Sequence, residues 1–161
     1  MKTKTLSLTA ILLTTLFLTI SCDNKEIPPE EKFPRDTPFT EFSLEGTSCE
    51  WVRFQGSWGT IPPEIIIINN SEELKTHILC TEEKHSEIDF SKHTLLLARG
   101  VWPTLPIIYN TDLQQISAQN YVMTVGIYSS MLPAHGHWQV PIVVDKLDKE
   151  IAVELIITQQ N

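Results

Sequence analysis

Two histidines one residue apart, His135-Gly136-His137, are the pair whose spacing best suits chemistry. On a strand, residues i and i+2 share a face, so two imidazoles can reach one metal ion. Two ligands do not make a centre, however, and no HExxH-type pattern accompanies them. Pro133, Ala134 and Gly136 read instead as a hairpin loop presenting exposed histidines. Ser57 lies in Gly56-Ser57-Trp58-Gly59 with no base nearby, and the chain has no GxSxG elbow. Glu50, Glu64 and Asp112 fall on expected strands and are candidates for paired carboxylates, whose spacing in glycoside cleavage is spatial rather than sequential. Cys49 and Cys80 suit a disulfide that would close a loop of about thirty residues and stabilise by roughly 3–4 kcal/mol. Two buried free thiols are the other reading. A zinc site is not expected, since the chain has no CxxC. Trp51 and Trp138 lie in alternating strands and read as core, whereas Trp58 and Trp102 lie in loops marked by Gly or Pro. An indole in such a loop either caps the core or meets a partner, and loop tryptophans also serve sugar-binding modules.

The amino terminus carries the strongest signal. Met1-Lys2-Thr3-Lys4 is basic, and Leu6 to Ile20 is apolar or Thr/Ser without a charge. Such a stretch is too short to span a bilayer, which takes about twenty apolar residues, but it fits a secretory signal. Leu18-Thr19-Ile20-Ser21-Cys22, followed at once by Asp23-Asn24-Lys25-Glu26, resembles the lipobox of bacterial lipoproteins. The resemblance implies cleavage before Cys22, diacylglycerol on its thiol and an acyl chain such as palmitate on the new amino group. Residues 1–21 are then a lipoprotein signal peptide. Lys25-Glu26 is similar to the export tag of surface lipoproteins in Bacteroides-like bacteria. The expected location is the cell envelope, lipid-anchored to the outer membrane, with the periplasmic and cell-surface leaflets both open.

Charge narrows the partners. The chain has 12 Lys+Arg and 20 Asp+Glu, and removal of Lys2 and Lys4 with the signal takes its net charge from −8 to −10. That balance argues against nucleic acid, whose phosphates demand Lys and Arg, and against a polybasic membrane-docking face. Residues 22–40 read as a proline-rich tether, with Pro28, Pro29, Pro34 and Pro38 set among charged side chains. Its extended geometry would hold a domain up to roughly 50 Å from the membrane.

Residues 41–161 read as a single, mainly β, α+β domain. Strands are expected over residues 47–54, 65–68, 94–101, 105–119, 121–128, 138–144 and 151–158, with a bulge near Asn110 in the fourth. Asn70 as N-cap with Glu73 three residues on predicts one helix, reaching about Leu79 with Cys80 at its end. Successive strands joined by short connections imply an antiparallel meander, giving a mostly antiparallel sheet or half-open barrel of about seven strands with one helix.

The run Ile66-Ile67-Ile68-Asn69-Asn70-Ser71-Glu72-Glu73-Leu74, then Ile88-Asp89-Phe90-Ser91-Lys92-His93-Thr94-Leu95-Leu96-Leu97-Ala98-Arg99-Gly100, is similar to the PrcB-like domain family. Trp138-Gln139-Val140-Pro141-Ile142-Val143-Val144 stands where that family has a later strand segment. Val101-Trp102-Pro103-Thr104-Leu105 departs from the family's glycine-rich turn. The likeness covers roughly residues 65–158. It implies an accessory subunit of a surface protease complex and supplies no catalytic residue or cofactor. The expectation is therefore a non-enzymatic binding or accessory lipoprotein whose partner is an envelope or surface protein. The rival class is an envelope hydrolase or a glycan-binding module.

Overall fold

The computed structural model describes residues 32–55, 62–81, 87–131 and 134–160, and residues 32–161 cluster as one unit. It is β-rich with one short helix. In chain order the elements are β1 (Arg35–Asp36), β2 (Thr40–Glu41), β3 (Cys49–Trp51), β4 (Glu64–Ile68), α1 (Ser71–Lys75), β5 (Ile78–Cys80), β6 (His93–Trp102), β7 (Pro106–Gln115), β8 (Asn120–Ser129), β9 (Gly136–Asp145) and β10 (Ala152–Gln160).

Two four-stranded sheets form. One has the order β1-β7-β8-β10 and is called the outer sheet here; the other, β2-β9-β6-β4, is the central sheet. A two-stranded ribbon, β3-β5, stands apart. The main core lies between the two sheets. The alternation of β8 sends Met123, Val125 and Ile127 into it, and that of β9 sends Trp138, Val140, Ile142 and Val144. The apolar run of β6 has no alternation because both of its faces are covered. Leu96, Ala98 and Trp102 join the main core, while Leu95 and Leu97 face a second core with Phe42, Leu44, Ile68, Leu74 and Ile78.

Several elements differ from the sequence expectation. Ten strands occur among the described residues, not about seven, because β1, β2 and β5 are short pieces without a periodic signal. β1 lies inside the segment read as tether, and β2 straddles its end at Thr40. β1 pairs with β7 at Gln114 and Gln115, and β2 pairs with β9 at Ile142 and Val143. Arg35 Nε also donates to the buried Gln115 Oε1 at 2.7 Å. The strands do not form a simple meander. β6 and β7 are consecutive but belong to different sheets, and β10 lies parallel to β8 from Ala152↔Asn120 to Gln160↔Tyr128. The chain reverses into β9 of the central sheet and reverses again, so β10 returns in the direction of β8. The crossover that a parallel pair requires is β9 itself.

The helix is shorter than its apolar spacing suggests. Its start follows the expected cap: Glu73 N donates to Asn70 Oδ1 at 2.9 Å, and Glu73 Oε2 accepts from Asn69 N at 2.6 Å. It ends at Lys75 because Thr76 N and His77 N turn back onto the Glu73 and Leu74 carbonyls at 3.0 and 2.9 Å. Residues 78–80 then enter a ladder with β3. Cys80 is thus a strand residue directly opposite Cys49, and the two are joined as a disulfide. The bridge clamps a ribbon rather than fastening a strand to a helix end.

Candidate binding surfaces

The residues singled out by sequence separate on folding. Cys22, Ser57 and Trp58 lie outside the described residues. Trp102 is 7% exposed, and its indole Nε1 donates to Ser129 Oγ at 3.0 Å. It caps the main core, one of the two roles open to it from the sequence. His135 is exposed just before β9, while His137 is on β9 and lines a cleft. Among the described residues no three His, Cys, Asp or Glu side chains gather as metal ligands. The three acids are dispersed as well. Asp112 lies on β7, Glu64 is held by Arg99, and Glu50 lines the same cleft as His137.

That cleft follows from the register of the central sheet. Glu64 is paired with Arg99 and Arg99 with Gln139, so the three form a row across β4, β6 and β9. Arg99 Nε donates to Glu64 Oε1 at 2.7 Å, and its Cζ sits 5.5 Å from the centre of the Phe54 ring. Next to this row is an opening of about 340 Å³ lined by Glu50, Trp51, Arg53, Phe54, His137 and Gln139. Trp51 is fixed edge-on to Phe42 with ring centres 5.9 Å apart. His77 feels the same neighbourhood: burial and then the Arg99 charge hold its imidazole below the usual histidine value, against an opposing pull from Glu64 and Glu73. The sequence suggested Glu50 and His137 for unrelated reasons. It offered no sign of Arg53 or Gln139, which only the register brings alongside.

The second surface is the face of the outer sheet turned away from the core. Ile107, Tyr109, Tyr128 and Ile156 stand on it at 41–53% exposure. Register gathers them. Ile107 is paired with Tyr128, and Asp112, Thr124 and Ile156 form a row. The register shift between Ile108 and Asn110 turns Tyr109 outward, where its ring lies over Gly126 and its hydroxyl is 3.4 Å from Thr158 Oγ1. A Cβ on Gly126 would meet the Tyr109 Cζ at 2.5 Å, so only glycine leaves room for the ring. Asp36, Asp112 and Glu154 belong to the same sheet, and Gln114 Nε2 donates to Asp36 Oδ1 at 3.2 Å. Antiparallel sheets commonly pair one buried face with one solvated, polar face. An apolar and aromatic cluster on the solvated face is the departure, and clusters of that kind mark interaction surfaces.

No family model, no curated protein and no solved structure matches the chain. Among the described residues no helix is long and apolar enough to cross a membrane.

Proposed function

We propose that the chain is a membrane-anchored, non-enzymatic binding or accessory lipoprotein of the cell envelope, of the PrcB-like type. Cys22 carries the lipid, and the proline-rich segment after it holds the folded unit away from the bilayer. One acyl chain alone binds a membrane marginally and a second makes attachment firm, in keeping with several chains on one cysteine. The two sheets suit the half-open barrel reading of the fold, since β10 approaches β4 and β7 approaches β9. The partner is an envelope or surface protein, such as a protease, which the lipoprotein stabilises.

The observation that supports this reading is the cluster Ile107, Tyr109, Tyr128 and Ile156 on the solvated face of the outer sheet. Tyrosine and isoleucine there offer rigid apolar area, with acidic neighbours at Asp112 and Glu154 to orient a partner of opposite charge. The double variant Ile107→Glu/Tyr128→Glu tests it. Captured from its own envelope, the wild-type lipoprotein should retain a co-purifying protein that the variant loses while keeping the wild-type melting temperature. Identical capture by both proteins would place the partner elsewhere.

A further inference from the structure

We propose that the cleft beside the Glu64–Arg99–Gln139 row is a saccharide-binding site that takes a pyranose unit of a neutral glycan. The site is on the far side of the central sheet from the main core, so it is separate from the outer-sheet face and does not depend on the docking role given to that face. Its size fits: about 340 Å³ is at the small end of the range of about 300–1,000 Å³ for ligand pockets.

The lining chemistry narrows the ligand. Half-buried Trp51 provides the aromatic surface, backed by the buried Phe54, and both are held in place, Trp51 by Phe42 and Phe54 by the Arg99 guanidinium. A rigid aromatic wall is what the C–H face of a sugar ring packs against, and preorganisation lowers the cost of binding. Around it stand a carboxylate (Glu50), a guanidinium (Arg53), an imidazole (His137) and a carboxamide (Gln139). None of these four side chains has a hydrogen-bond or ion-pair partner among the described residues. Arg53 offers donors only, Glu50 acceptors only, and His137 and Gln139 both, which suits hydroxyl groups that donate and accept at once. An anion would gain from Arg53 but meet the Glu50 carboxylate. A metal ion would find only Glu50 and His137, short of the three protein ligands of even an open site. A neutral polyol uses every group present.

The test is calorimetric titration of the mature chain with neutral trisaccharides: cellotriose, maltotriose, chitotriose and mannotriose. At least one should bind saturably. His137→Ala and Gln139→Ala are exposed-strand changes that leave the core intact, which their melting temperatures will verify. Each should weaken that binding about tenfold, the effect of losing a hydrogen bond to a polar ligand. Ile107→Glu/Tyr128→Glu should bind the sugar as the wild type does. The proposal is overturned if none of the four trisaccharides binds, or if both cleft variants bind the sugar unchanged.

Discussion

Gly126 shows how a single residue shapes a surface. The absent side chain is what lets the Tyr109 ring lie flat on β8. Gly126→Ala should therefore displace the ring and destabilise the protein by about 1–3 kcal/mol, the usual range for overpacking. Adding Tyr109→Ala should restore much of the loss, because the obstacle to the new methyl is gone. Urea midpoints of the wild type, both single variants and the double variant measure the coupling, and additive losses would contradict the contact. His77 gives a pH signature. Its folded-state pKa is below 6.5, so the unfolded chain takes up the proton first as pH falls. Stability contributed at this site therefore declines from pH 6.5 down to the folded-state value and is constant below it. His77→Gln should shrink the difference in urea midpoint between pH 7.5 and pH 5, and an unchanged difference would remove His77 as the source. Neither effect was legible in the sequence. Gly126 sits in a strand that reads as plain alternation, and the Arg99 charge reaches His77 only through the folded register.

At the level of elements, the Cys49–Cys80 bridge joins directly opposed residues of a three-rung ribbon. The ribbon is extended by Val52 N donating to His77 O at 2.8 Å and Thr81 N donating to Ser48 O at 3.2 Å. A ribbon this short is marginal alone, so the bridge and its packing on the second core hold it. Cys49→Ser/Cys80→Ser should lose about 3–4 kcal/mol, since the bridge closes a loop of 31 residues in the unfolded chain. Mass analysis without reductant should find these two thiols two hydrogens short, whereas quantitative alkylation of both in the native protein would contradict the bridge. The pairing was legible from an oxidising export route and the count of cysteines. Its setting was not, because Leu74 and Ile78 at i and i+4 mimic a helix stripe although Ile78 belongs to a strand. The β7 bulge was legible near Asn110. The parallel entry of β10 was not, since the pattern of a strand records which face is buried and not which neighbour it meets.

At the scale of the whole molecule, the proposed function pairs a lipid anchor at Cys22 with a binding face on a β-rich unit. Cys22→Ala should leave an unprocessed or soluble form, and a variant that fractionates with the membrane after normal processing would contradict the anchor. The outer-sheet face stayed hidden, because alternation sets Tyr128 and Ile156 off the main apolar face of their strands but does not show that register gathers them with Ile107 and Tyr109. The most direct measurement places a photo-crosslinking amino acid at Ile107 on the outer sheet and, as control, at Glu72 on α1, and irradiates cells carrying the full-length lipoprotein. A discrete protein adduct is expected from position 107 and not from position 72. No adduct from position 107, or the same adducts from both positions, would contradict the proposed binding face.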